Sequence, residues 1–288
     1  KTKFMIRASS VGAICTERIV LDEKKIEDAI SELKSKAEAK KETFDTSPEK
    51  IMEESIRLSS VKGLSIVSKN VIKLLEKQKQ AKEDPLPLGA KTHLEKLWLE
   101  NNHYFTDISL SEGAIPILKG KVQEEAAITL LHLTHFPNFT PFIKNTQRIS
   151  KGFLTGECDV ALPQSIVDIK VPENWVSFRS KDGIPSEYFW QLVAYCYLYD
   201  KKEACLAYVL MEDPQEVVDI VLKWKGEEQK EKYFKMQESI TKLHPRQRIK
   251  LFFIDEPTVA DSVPFLLKRL EKAEQYYNQL TYEQCMKL

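Results

Sequence analysis

Apolar residues recur along this chain at two spacings, and the change from one to the other divides it into elements. Between Asp22 and Gln80, Ile26, Ala29, Ile30 and Leu33, then Ile51, Ile56, Leu58 and Val61, recur at helical spacing among Lys and Glu. This predicts two or three amphipathic helices with one solvated face, forming an arm or cover, and Ser47-Pro48-Glu49 supplies a helix start. Lys91 to Asn101 repeats the pattern with Leu94, Leu97 and Trp98 inward, and Lys119 to His132 repeats it with Ala127, Ile128 and Leu131. Ahead of them, the short apolar run Lys3-Phe4-Met5-Ile6-Arg7 leads to Ser9 and Ser10, placed as N-caps of a further helix.

From Gly156 the spacing changes. Gly156-Glu157-Cys158-Asp159-Val160-Ala161-Leu162 turns through Pro163-Gln164-Ser165 and returns as Ile166-Val167-Asp168-Ile169-Lys170-Val171, which predicts a β-hairpin. A strand is expected near Phe142 to Ile149, a helix over Tyr188 to Leu198 and a strand over Cys205 to Met211. The remainder reads as charged helix through Lys242, an edge strand at Leu251 to Ile254 and an amphipathic helix from Val263 to Leu280. The core order α-β-β-β-α-β gives an α/β (α+β) fold, a central mixed sheet flanked by helices. The breaker Asp84-Pro85-Leu86-Pro87-Leu88-Gly89 marks a boundary. The expected division is a segment 1–84 with a helical insertion, a core 85–215 and a mostly helical extension 216–288 packed on the core.

Composition narrows the class. A hydrophobic content of 42% and only 9 Gly in 288 residues fit an ordinary globular chain rich in helix. No apolar run approaches a transmembrane length, and no basic-then-apolar signal opens the chain, so a cytoplasmic protein with no membrane contact is expected. Cysteines at 15, 158, 196, 205 and 285 have no C-x-x-C spacing, which argues against a disulfide framework, a zinc ribbon or a four-cysteine cluster. Lys+Arg and Asp+Glu both number 43. Any nucleic-acid contact must therefore come from a local basic surface, for which Arg148, Lys151, Arg179 and Lys181 are the candidates.

The hairpin carries three charges where a core strand should carry none. Alternation puts Asp168 and Lys170 on one face of the second strand, leaving Val167, Ile169 and Val171 on the other, so one face can be packed and the other wet. Asp159 can face Asp168 across the hairpin. Two adjacent carboxylates repel unless a cation lies between them or one keeps its proton, and hard divalent ions prefer such oxygens. Asp/Glu-x-Lys by itself is uninformative, since Asp22-Glu23-Lys24 and Glu32-Leu33-Lys34 match it too. Glu124 lies three, four and seven residues before Ala127, Ile128 and Leu131, an acid on an apolar stripe. Gln191 and Tyr195 share one side of their helix.

Gly-x-x-Asp, a short gap, then apolar-apolar-Asp-x-Lys resembles the signature of the PD-(D/E)XK nuclease superfamily. Gly120-x-x-x-Glu124 before it and Gln191-x-x-x-Tyr195 after it resemble the lambda-exonuclease (YqaJ-like, RecB-related) branch. The resemblance covers about residues 118–211 and, weakly, the N-terminal serines. It implies a restriction-endonuclease-like core and a Mg²⁺- or Mn²⁺-dependent deoxyribonuclease, an exonuclease on linear double-stranded DNA in phage-type recombination or repair. It assigns the metal to Glu124, Asp159, Asp168 and the carbonyl of Ile169, with Glu157 in reserve. Lys170 would orient the attacking water, Gln191 and Tyr195 would steady Lys170 or the DNA, and Ser9 or Ser10 would touch a phosphate. A single-strand annealing protein, a homo-oligomer and a bacterial or phage-infected cell follow from the same resemblance. An endonuclease of the superfamily and a catalytically silent DNA-binding or scaffold protein remain open.

Overall fold

The computed structural model describes residues 4–16, 22–83, 86–103, 115–223 and 226–286. Asp84 and Pro85 of the breaker lie outside them. The described chain begins with β1 (Ile6–Arg7), α1 (Gly12–Cys15), α2 (Glu23–Ala39), α3 (Ile51–Ser59), α4 (Ser65–Glu83) and α5 (Leu88–His103). Next come α6 (Ile115–His135), β2 (Ile149–Lys151), β3 (Leu154–Gly156), β4 (Val160–Ala161), β5 (Ser165–Lys170) and α7 (Trp175–Arg179). The order closes with α8 (Ser186–Tyr199), β6 (Glu203–Val209), α9 (Gln215–Leu222), α10 (Glu227–Thr241), β7 (Ile249–Ile254), α11 (Glu256–Gln279) and α12 (Tyr282–Met286). Among the described residues no helix is long and apolar enough to cross a membrane, and all five cysteines are buried, with none in a disulfide.

Two compact units emerge, one of residues 17–87 and one of residues 1–16 with 88–288. The smaller is built from the amphipathic faces of α2, α3 and α4, whose Ile26, Leu33, Leu58, Val71 and Leu75 share a core. Asp22 caps α2 by accepting from the Lys25 amide at 3.0 Å. The α3 start falls at Ile51, one turn after Ser47-Pro48-Glu49.

The larger unit holds a four-stranded sheet in the order β4-β5-β6-β7. β5 and β6 are parallel, and both outer pairs are antiparallel, so the sheet is mixed as expected. On one face, Val167, Ile169, Cys205, Ala207, Val209 and Ile249 pack with Ala127, Ile128 and Leu131 of α6. The other face of β5 was expected to be wet. Instead Asp168 is 1% exposed, because α8 lies over it and engages its carboxylate.

Two further features depart from expectation. Residues 140–148 form no strand, and only Ile149 of the expected segment enters a ladder. Asn145 satisfies that irregular backbone: its amide donates to the Asp159 carbonyl at 2.7 Å, and its Nδ2 donates to the Cys158 carbonyl at 3.0 Å. A second sheet, β1-β3-β2, pairs β1 in parallel with β3. Within residues 216–288, the segment expected as an edge strand is β7 at the edge of the main sheet, and Leu266, Leu270 and Ala273 of α11 enter buried packing.

Candidate active site

The hairpin register pairs Val160 with Val167 and Ala161 with Ile166, so one step further Asp159 stands opposite Asp168. The Asp159 carboxylate accepts from the Ile169 amide at 2.5 Å. Burial, and then the Asp168 charge, push the Asp159 carboxyl well above the usual carboxylate range. Lys170 reaches Asp168 Oδ2 at 2.5 Å. Burial alone would lower the Lys170 ammonium, but Asp168 and Asp159 outweigh it and hold it above its ordinary value. Two carboxyl groups, Asp168 buried and Asp159 half-buried, thus crowd a single ammonium.

α8 supplies the support. Gln191 Nε2 donates to Asp168 Oδ1 at 3.3 Å and to the Tyr195 hydroxyl at 3.1 Å. These two residues therefore hold Asp168, whereas the expected role was to steady Lys170 or the DNA. Lys170 rests instead over the ring of Tyr188, 5.0 Å from its centre. Sequence reasoning missed Tyr188, although it lies three residues before Gln191 on the same helical stripe. Gly156 explains itself here: a Cβ at that position would come within 2.9 Å of both Tyr195 Cε1 and Ala8 Cβ. The glycine lets the Tyr195 ring close over the hairpin.

Glu124 lies on α6 near enough for its charge to act on Asp159. Its carboxylate, however, meets Lys144 Nζ at 3.3 Å, and Glu125 meets the same ammonium at 3.9 Å. Among the described residues, no three His, Cys, Asp or Glu side chains are grouped closely enough to hold a metal. The chemistry of the remaining pair nonetheless suits a hard divalent cation. Asp159 and Asp168 crowd one ammonium closely enough to hold the Asp159 carboxyl above its usual range, and Asp168 Oδ2 has an ion pair but no hydrogen bond. Glu124 would join them only by leaving Lys144.

The other candidates scatter. Glu157 faces Arg148 at 3.6 Å, and Lys151 pairs with Asp200 at 2.7 Å, so both basic residues near β2 are already matched by acids. Ser9 and Ser10 lie in a short 3₁₀ turn between β1 and α1, and neither caps a helix. Ser10 lines a cleft with Arg7, His93, Glu100 and Thr155. Residues 175–179 form α7 because Asn174 and Ser177 make a reciprocal capping box. Arg179 is exposed at its end, and Lys181 lies over the ring of Tyr208, 5.5 Å from its centre.

No protein-family model matches the sequence, and no curated protein matches it either. The structure is similar to that of a phage-related exonuclease from Haemophilus somnus 129PT. The TM-score is 0.57 at 22% identity, and the match covers 72% of this chain and 88% of that one. An alkaline exonuclease from Laribacter hongkongensis aligns at a TM-score of 0.40 and 12% identity, over 67% of this chain and 85% of that one. The first of these establishes the fold, the mixed α/β core expected from the motifs.

Proposed function

We propose that this protein is a metal-dependent deoxyribonuclease that hydrolyses DNA from the ends of linear duplexes. The observation that carries the reading is the Asp159–Asp168 pair, opposed across a hairpin with Lys170 as its one ammonium. The fold shared with a phage-related exonuclease supports it.

Asp159 and Asp168 would hold the ion, Mg²⁺ or Mn²⁺, with Glu124 and the Ile169 carbonyl as further oxygens. When bound, such an ion polarises the scissile phosphate and lowers the pKa of water. The Ile169 amide fixes the direction of the Asp159 carboxylate, and Gln191, braced on Tyr195, fixes that of Asp168. The Lys170 ammonium stays protonated between the two carboxylates and the Tyr188 ring. From there it balances negative charge that builds on the phosphate oxygens and orients the attacking water.

Incubation with linear and covalently closed circular duplexes, with Mg²⁺, Mn²⁺ or EDTA, tests the reading. Linear DNA should shorten only with metal, and closed circles should persist. Cutting of the circles would replace the exonuclease by an endonuclease, and no metal-dependent cutting of either would exclude a nuclease.

A further inference from the structure

On the Asp168 face of the main sheet, the ladders align Lys170 with Tyr208 and Tyr208 with Lys250 in one row. Adjacent strands lie about 4.8 Å apart, so this row steps away from Lys170 across the sheet in increments shorter than a nucleotide. Tyr208 is 2% exposed, and among the described residues its hydroxyl has no hydrogen-bond partner. Lys181 screens it from above. Lys250 donates to the carbonyls of Arg179 at 3.0 Å and Lys181 at 2.6 Å, which ties the end of α7 over the row.

The charges around Tyr208 are unbalanced. Lys170 is matched by Asp168, but Lys181, Lys250 and Arg179 make no ion pair among the described residues. On α10, by contrast, Lys232 and Lys235 each sit 2.6 Å from a glutamate one turn earlier. In a chain with no net charge, this is a local positive excess beside the candidate catalytic pair. The ladder places Tyr208 beside Lys170 on the face that carries Asp168, and the charges of Lys170, Glu187 and Asp168 reach its hydroxyl. Of these, Glu187 is an exposed carboxylate on the first turn of α8, and Asp182 is exposed beside Lys181.

We propose that Lys181, Lys250 and the Tyr208 hydroxyl form a phosphate subsite, which holds the DNA phosphodiester next to the one at Lys170. A buried hydroxyl without a partner weakens the folded state, and a phosphate oxygen is the acceptor it lacks. The two ammonium groups supply the charge that makes such a contact strong. Lys181 swings from the ring toward the phosphate and uncovers the hydroxyl. Which strand fills the subsite rests on the nuclease reading, but binding to it does not require metal.

The test measures affinity for a short single-stranded oligodeoxynucleotide in EDTA across a salt series, using the full chain. Lys181→Ala should weaken binding about 10-fold and flatten the dependence of log affinity on log salt by about 0.7, the share of one phosphate on a single strand. Tyr208→Phe should weaken binding about 5-fold at unchanged slope, because it removes a donor but no charge. It should also melt no lower than the parent, since the lost hydroxyl has no partner. Parent-like affinity and slope in both variants, or no binding by the parent, would overturn the subsite. The expected shifts in a protein that degrades no DNA would leave the subsite standing and remove the nuclease. Degradation without the shifts would do the reverse.

Discussion

Two lysine–aspartate pairs with a buried member sit in the larger unit, and they are built differently. Lys119 and Asp213 meet at 2.7 Å with side chains 0% and 8% exposed. Lys119 also donates to the Glu173 carbonyl at 3.0 Å, while Asp213 Oδ2 accepts from Tyr233 at 2.6 Å and Gln237 at 2.8 Å. That pair is neutral as a unit and richly bonded. Lys170 and Asp168 meet at 2.5 Å, but a second carboxylate, Asp159, stands opposite, and Asp168 has one amide donor at 3.3 Å. Buried charge is therefore no sign of function by itself. What separates the two sites is how the charges are matched: the first sets one carboxylate against one ammonium and clamps α6 to the segment after β6, and the second crowds two carboxyl groups against one ammonium.

Lys170→Ala or Asp168→Ala should reduce metal-dependent DNA degradation by about 10³-fold, the scale for removing a charge-stabilising group from an active site. Their far-ultraviolet circular dichroism should match the parent; an unfolded variant would make this pair structural as well. Lys119→Met should do the opposite. It strands Asp213 and should cost about 3–5 kcal/mol in urea unfolding. Degradation per folded molecule should stay within about 2-fold, because Lys119 touches no group of the site. A neutral Lys119→Met would erase the distinction between the pairs.

The smallest effect sharpens the contrast through pH. Asp159 keeps a proton in the metal-free folded state that the unfolded chain releases near the ordinary value of 3.8, since its folded pKa is raised to about 8. The native state then binds more protons than the unfolded state across that window, so this group's contribution makes stability fall as pH rises from about 4 to about 8. The melting temperature in EDTA should drift down by a few degrees more in the parent than in Asp159→Asn. Parallel curves for the two would show that the carboxylates are not in conflict.

The hairpin and its charges are legible in the sequence because alternation on β5 leaves Asp168 and Lys170 no ordinary reason to be there. The stripe of Ala127, Ile128 and Leu131 is equally plain, and each of the three is buried. What alternation could not reveal is what covers the polar face: Asp168 is dry because α8 lands on it, a contact between residues 23 apart in sequence. Strands of two or three residues, such as β1, β2 and β3, are too short to carry a period. Phe142 to Ile149 misled for the opposite reason: Phe142 does enter the core, but its neighbours bond through Asn145 and no ladder forms. Tyr208 was hidden because an aromatic in an apolar strand looks like filling until its neighbours across the ladder are known.

The pairing of Ile6 with Leu154 also bears on how the molecule is made. The helical unit of residues 17–87 has its own core and can form from neighbours in sequence as it leaves the ribosome. Residues 6 and 7 must wait for β3, roughly ten seconds or more at ordinary rates of translation. A nascent chain would thus carry a finished helical module while β1 still lacks its partner strand, and Asp159 and Asp168 face each other only after β3 has been made.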